Sequence, residues 1–274
     1  MFDVPVLLMI YNRPEQTKKV FEQIQRLKPQ RLFISADGPC EGQHVASNEA
    51  RKVVNDVDWG CKVYKKFSDK NMGCRVAVSS AIDWFFEHVE KGIILEDDTL
   101  PHISFFNYCR ELLDFYKEDT RVMHIAGTNR GCDSDMPYSY YFSSYVQIWG
   151  WATWRRAWKK YDVNMCEWPN LRNRLKNYIF DHDECNKRFK NFERVYNGEI
   201  DTWDYQWHLS VLQNHGLAVI PRVNMISNIG FGVNATHTKD INNPFAEIPR
   251  QQMDIPLRHP PTIVYKDSFE ALHK

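Results

Sequence analysis

The chain has 274 residues, 43% of them hydrophobic and 14% aromatic, enough for a large domain with a full core. Lys plus Arg and Asp plus Glu both number 35, so the formal charge is zero. A duplex nucleic-acid binder carries a cationic surplus, and a membrane span needs an apolar run of about 20 residues; neither is present, so no nucleic-acid partner and no transmembrane segment are expected.

Val4 to Ile10 is an almost unbroken apolar run and reads as a strand buried on both faces, not as a signal peptide, since no basic segment precedes it and no cleavage site follows. Pro14 suits the first position of a helix that carries Thr17, Val20, Ile24 and Leu27 at helical spacing. Arg31 to Ala36 is a second strand, ending in the turn Asp37-Gly38-Pro39, and Cys61 to Phe67 is a third. Asn71-Met72-Gly73 leads into a helix with an apolar face of Val76, Ala77, Ser80, Ala81, Trp84, Phe85 and Val89. Gly92 to Leu95 forms a short buried strand that runs into Glu96-Asp97-Asp98. A helix follows Pro101, and Arg121 to Ala126 is another strand.

Alternating strands and helices imply an α/β fold, a mostly parallel sheet flanked by helices with right-handed crossovers. Ligands of such sheets bind beyond the carboxyl ends of the strands. Arg13, Asp37 and Glu96-Asp97-Asp98 each follow a strand and therefore converge on one rim. From about Tyr138 the pattern shifts to short strands, Trp-rich turns and basic helices. The expected division is a first half over 1–130, a smaller second half over 131–240, and an extended, proline-bearing tail over 241–274.

Three adjacent carboxylates repel one another unless something neutralises them. As hard oxygen donors at a strand end they suit Mn²⁺ or Mg²⁺, with a pyrophosphate supplying further ligands; a solvated acidic turn is the plainer alternative. Trp149, Trp151, Trp154 and Trp158 crowd one segment, the last three at helical spacing, which favours core packing over contact with a ligand. Residues 155–194 hold eleven Lys or Arg against six Asp or Glu, a solvated helical surface or a dock for an anionic acceptor or lipid headgroups. Asn71, Gly73 and Arg75 open a helix whose free amides would meet an anion, or simply begin a helix. His237, after Gly230-Phe231-Gly232, is either a structural histidine or a contact for phosphate or metal. The scattered cysteines, Cys40, Cys61, Cys74, Cys109, Cys132, Cys166 and Cys185, show no C-x-x-C pair and read as free thiols of a cytoplasmic protein.

These stretches resemble the GT-A glycosyltransferases, in particular the N-acetylglucosaminyltransferase I family. The strand ending in Glu96-Asp97-Asp98 is similar to that family's D-x-D-type site, and Arg13-Pro14 to its Arg-Pro after the first strand. Ser35-Ala36-Asp37-Gly38, Gly150-Trp151, Trp203-Asp204-Tyr205-Gln206-Trp207 and Asn234-Ala235-Thr236-His237 follow in the family's order, so the likeness runs from about residue 3 to 240. It implies a GT-A, Rossmann-like fold, with 1–130 as the nucleotide-sugar-binding half and 131–240 as the catalytic and acceptor half of the same domain, and a soluble enzyme of surface-polysaccharide synthesis, cytoplasmic or peripheral at the inner membrane surface. The partners it implies are a UDP-sugar donor, such as UDP-N-acetylglucosamine, and a glycan or glycolipid acceptor. Asp98 would hold Mn²⁺ or Mg²⁺, with Asp97 at the metal or ribose and Glu96 near the donor sugar. Asp37 would read the uracil, Arg13 and Arg75 would face phosphate, Trp151 would lie beside the sugar, and His237 would meet phosphate or metal. Asp204 would be the general base of an inverting transfer. One departure matters: the family's second acid in Trp-Asp-Asp-Trp is missing, which leaves Asp201 and Glu199 as substitutes. A sugar nucleotidyltransferase is a competing reading, although Tyr11-Asn12-Arg13-Pro14 lacks the Gly-rich basic loop such enzymes place after the first strand. A non-catalytic carbohydrate-binding protein is the third.

Overall fold

The computed structural model describes residues 1–130, 136–175, 182–232 and 243–265. The first half runs β1 (Val6–Ile10), α1 (Pro14–Leu27), β2 (Arg31–Ala36), α2 (His44–Val53), β3 (Lys62–Phe67), α3 (Gly73–His88), β4 (Lys91–Glu96), β5 (Thr99–Pro101), α4 (Ile103–Phe115) and β6 (Val122–Ala126). The second runs β7 (Tyr140–Ser143), β8 (Trp151–Trp154), α5 (Arg155–Trp158), α6 (Trp168–Leu175), α7 (His182–Tyr196), α8 (Asp204–Gln213), β9 (Leu217–Pro221) and β10 (Ile226–Asn228).

Eight strands form one sheet in the order β3-β2-β1-β4-β8-β6-β9-β7. Only β8 and β7 run against the others, so the fold is α/β with a mostly parallel central sheet. Period-two alternation explains the apolar runs. Val6, Leu8 and Ile10 face the layer packed by α1 and α4, while Leu7 and Met9 face the layer packed by α3 and α8. Phe105, Phe106, Leu112 and Leu113 of α4 fill the first layer; Ile82 and Phe85 of α3, with Trp203, Trp207 and Val211, fill the second.

Two expectations need correction. Trp151 and Trp154 are not helical: β8 is a strand inserted antiparallel between β4 and β6, with Ile94 opposite Trp151 and Lys91 opposite Trp154. Three residues apart on a strand, the two rings point to opposite faces, and Trp151 joins the α3 layer while Trp154 joins the α4 layer. The buried face of α3 is also rotated from the expected one. It consists of Ser79, Ala81, Ile82, Phe85 and Phe86, and Val76 is 47% exposed.

A two-stranded antiparallel ribbon, absent from the sequence reading, joins β5 to β10 and pairs Thr99 with Asn228. Met253 and Leu257 of the C-terminal stretch are buried in the α4 layer, with backbone amides donating to Ser104 Oγ and Glu111 Oε1 at 2.9 Å each. Among the described residues no helix is long and apolar enough to cross a membrane.

Candidate active site

The carboxyl ends of β1, β2 and β4 lie side by side because the three strands are parallel neighbours, and each hands its next residues to the same rim. After β1, the Tyr11 amide donates to Asp97 Oδ2 at 3.0 Å. Arg13, the residue before α1, donates through Nη1 to Asp98 Oδ2 at 2.5 Å and lies 3.6 Å from Asp97 Oδ1. The turn after β4 is held by Thr99, whose hydroxyl accepts from the Glu96 amide and donates to the Glu96 carbonyl. The ribbon holds the far side: the Ile229 amide donates to the Asp98 carbonyl at 2.9 Å. Gly230 follows, where a Cβ would collide with the Asp98 carboxylate, so only glycine lets this loop come so close.

Among the described residues Arg13 pairs with two of the three carboxylates, Asp97 and Asp98. Burial pushes Glu96 well above the usual carboxylate range, with further repulsion from Asp98, Asp97 and Asp204. Burial and Asp98 push Asp97 up to about 7, and burial raises Asp98 although Arg13 opposes it. Burial alone would lower Arg13, and the neighbouring Asp97 and Asp98 more than reverse this.

Two cavities meet at this triplet. The first, about 370 Å³, is lined by Tyr11, Asp37, Asn71, Asp97 and Asp201 among others. The second, about 470 Å³, is lined by Asp98, Arg130, Trp149, Asp204 and Asn228 among others. Arg13, Cys74 and Glu96 line both. Adjacent residues of one turn thus divide the work of facing: Asp97 looks into one cavity, Asp98 into the other, and Glu96 stands between. Asp204 begins α8 and accepts from the Thr202 hydroxyl, which fixes its carboxylate at the second cavity.

Asp37 lies at the rim but is fully engaged. Its oxygens accept from the Gly38 amide (2.8 Å), the Met72 amide (3.0 and 3.1 Å) and Asn71 Nδ2 (3.0 Å). These contacts tie the loop after β2 to the loop before α3, and a uracil N–H would have to displace one of them. Burial raises its carboxyl in spite of the amide bonds.

Other expected residues sit elsewhere. The amides opening α3 are not free for an anion: Asp201 Oδ2 accepts from Cys74 N at 2.8 Å and Oδ1 from Arg75 N at 3.2 Å. The Arg75 guanidinium donates to the carbonyls of Ile200 (3.1 Å) and Val195 (3.3 Å), which binds α3 to the end of α7. Trp151 is fully buried, stacked between His124 (5.0 Å) and Trp203 (5.7 Å), so its ring has no face for a donor sugar. His237 lies outside the described residues. Tyr11, Arg130 and Asn228 line the cavities and were not singled out from sequence. Tyr11 and Arg130 carry a positional signal, since each follows a parallel strand, whereas Asn228 lies in a ribbon that only the pairing reveals.

The donor chemistry of Asp97 and Asp98 fits a hard divalent cation, and the repulsion left by a single arginine is what such an ion would relieve. Among the described residues no group of three or more His, Cys, Asp or Glu converges into a complete shell, so the chain would supply only part of one.

No protein-family model matches the sequence, and no curated protein matches it. Solved structures with a related shape include a mannosyltransferase from Pyrobaculum calidifontis in complex with GDP-Man and Mn²⁺, at 13% identity over 55% of this chain with a TM-score of 0.37. This chain covers 44% of that protein's length. A 4-diphosphocytidyl-2C-methyl-D-erythritol synthase from Anaerococcus prevotii matches 76% of this chain and 97% of its own at 5% identity and a TM-score of 0.35. Mouse xyloside xylosyltransferase 1 matches 77% of this chain and 82% of its own at 9% identity and a TM-score of 0.35.

Proposed function

We propose that the chain is a metal-dependent, inverting glycosyltransferase that moves a sugar from a UDP-sugar, such as UDP-N-acetylglucosamine, to a glycan or glycolipid acceptor. One observation supports this above all: Glu96 and Arg13 line both cavities, one bearing Asp97 and the other bearing Asp98 and Asp204. A donor in the first cavity and an acceptor in the second would meet at the triplet.

In this reading the nucleoside lies against Tyr11, Asn71 and Asp37, with the uracil N–H replacing one hydrogen bond on the Asp37 carboxylate. Asp97 and Asp98 would hold Mn²⁺ or Mg²⁺, with donor phosphate oxygens completing the shell. Such ions are typically bound by one or two carboxylates plus substrate phosphates, and the bound ion would stabilise negative charge on the departing diphosphate. Arg13 remains beside both carboxylates as a charge-assisted donor toward phosphate. Asp204, oriented by Thr202, removes the proton of the acceptor hydroxyl, which attacks the anomeric carbon from the face opposite the diphosphate. Such base catalysis contributes about 10²–10⁴-fold. Glu96, at the junction, is placed to accept from a donor-sugar hydroxyl. The reading assigns no direct role to Arg75 or Trp151.

The test is transfer from radiolabelled UDP-sugars with Mn²⁺ added and then chelated, in wild type and Asp204→Asn. Chelation should abolish turnover. Asp204→Asn should lose about a hundredfold or more in kcat while UDP affinity stays within twofold. Full activity after chelation removes the metal; lost UDP affinity in Asp204→Asn moves that residue from the base to the binding site.

A further inference from the structure

Asp204 stands between two cavities. It lines the second one with Glu96, Asp98 and Arg130, and with Arg130 it also lines a third, of about 240 Å³, beside α7. Glu96 and Asp98 face the shared space from the turn after β4. Burial raises the Glu96 carboxyl, the Cys74 thiol of α3 and the Tyr161 hydroxyl after α5, and the charge of Asp204 adds to each. Negative charge gathered in one place favours the protonated form of every carboxylate in it, and a protonated carboxyl is no base.

Most of the surrounding cations are committed elsewhere. Arg13 lies on Asp97 and Asp98, and Arg194 on Glu199. Arg188 donates through Nη1 to His208 Nδ1 at 2.8 Å, and burial with the neighbouring Arg188 keeps His208 neutral. Tyr205, next to Asp204 on α8, accepts from Asn191 Nδ2 at 2.8 Å. Lys187 is exposed, and water screens its charge. Arg130 differs. Its guanidinium lies 4.1 Å from the ring centre of Trp149 and 5.2 Å from that of Phe245, so aromatic faces fix its place. It makes no ion pair with a described carboxylate, and its Nε is buried without an acceptor among the described residues. Burial and Arg188 bring it down to about 10, while Asp204 draws it up; at neutral pH it is still a cation.

We propose that Arg130, set back on the Trp149 ring, is the counter-charge that keeps Asp204 a carboxylate beside the acidic triplet. The separation suits the task. Asp204 Oδ1 accepts from the Thr202 hydroxyl, and a direct bond from Arg130 would occupy the oxygen that has to take the acceptor's proton. A guanidinium held on an indole supplies the field and leaves that oxygen open. Arg130 thus acts through Asp204, as a positioning residue. The word base rests on the glycosyltransferase reading; the coupling of the two charges does not. The aromatic crowd acquires a use at Trp149, which holds Arg130.

Carboxyl ¹³C NMR on the full chain, labelled at the aspartate side-chain carboxyl, tests this. The resonance missing from Asp204→Asn belongs to Asp204. Its titration midpoint should rise by about one pH unit in Arg130→Met and stay close to wild type in Arg130→Lys, which keeps the charge. The acid limb of kcat for UDP release from UDP-N-acetylglucosamine with Mn²⁺ should move with it, at nearly constant KM. If the Arg130 variants do not fold, the coupling is read from its other end, because it is reciprocal. The arginine ¹³Cζ signal that titrates near pH 10 in wild type should then titrate about one unit lower in Asp204→Asn. An unchanged Asp204 midpoint in folded Arg130→Met, equal shifts in the Met and Lys variants, or an arginine signal indifferent to Asp204→Asn overturns the proposal. Coupling found by NMR in a chain that turns over no donor, or whose turnover survives Asp204→Asn, keeps the counter-charge and removes the base.

Discussion

The carboxylate of Asp201 accepts the amides of Cys74 and Arg75, closing the N-terminus of α3 from 127 residues away in sequence. The residue is therefore committed to two backbone donors that would otherwise go unpaired, and its charge lies at the positive end of the helix dipole. Asp201→Ala should lower stability by about 1–2 kcal/mol, the range of a lost N-terminal cap, and the midpoint of thermal unfolding by about 2–4 °C. Sugar transfer should survive in the folded fraction, in contrast to Asp204→Asn. An Asp201→Ala protein of unchanged melting temperature and no activity would make Asp201 the base instead.

Gly73 is the counterpart of that cap. Its φ is +77°, and a Cβ there would stand 2.7 Å from Asp201 Oδ2. Gly73→Ala should therefore cost about 1–2 kcal/mol for the left-handed backbone, and more for the displaced carboxylate. Once Asp201 is already alanine, the second penalty has no atom to act on. The double variant should be less destabilised than the two single losses together, as measured by urea unfolding. Strict additivity would mean that the alanine methyl never meets Asp201.

Trp151 separates a packing role from a ligand role. Its indole is fully buried against His124, Trp158, Trp203 and Trp207. Trp151→Phe should destabilise the chain by about 1–3 kcal/mol, as core truncations do, and leave UDP affinity unchanged. A fall in UDP affinity at wild-type stability would put the ring beside the donor.

Why Trp151 was legible as core but not as strand is a matter of period. Trp151, Trp154 and Trp158 fit a helical repeat as sequence, and nothing local says that β8 is to be inserted between β4 and β6. The acidic triplet was legible because it follows an apolar run too short for a helix, and a parallel strand end has a known direction. Arg13 was legible by the same rule, and the structure brings it to 2.5 Å from Asp98. The Asp201 cap, the Thr99–Asn228 ribbon and the aromatic holding of Arg130 were not, since each joins segments whose encounter depends on the whole strand order. Asp37 shows a milder failure: its place on the rim was legible, but not its engagement by Gly38, Asn71 and Met72.

The crowding of Asp97 and Asp98 predicts a stabilising response to divalent cation that needs no turnover. Mn²⁺ should raise the thermal midpoint of wild type, more so with UDP present, and EDTA should reverse it. At a hundredfold excess over the dissociation constant the gain is about 2.7 kcal/mol. Asp98→Asn should abolish most of the shift. A shift of equal size in Asp98→Asn would mean that Mn²⁺ binds elsewhere.

His124 sets a pH dependence remote from the acidic site. Its Nε2–H donates to the Gln147 carbonyl (3.0 Å) and its Nδ1 accepts from Trp207 Nε1 (3.2 Å), an arrangement that fits the neutral ring. Burial lowers it from 6.5 to about 3. Between those values the unfolded chain binds a proton that the folded chain refuses. The contribution of neutral His124 is therefore complete above pH 6.5 and is lost as pH falls toward 3, at about 1.4 kcal/mol per unit. Buried His208 acts in the same direction. Raised carboxylates such as Asp97 act in the opposite one, so the informative quantity is the difference between wild type and His124→Gln. Urea unfolding at pH 7, 6 and 5 should show wild type losing its advantage over the variant by about that slope below pH 6.5. Parallel curves for the two proteins would mean that His124 takes up its proton in the folded chain as readily as in the unfolded one.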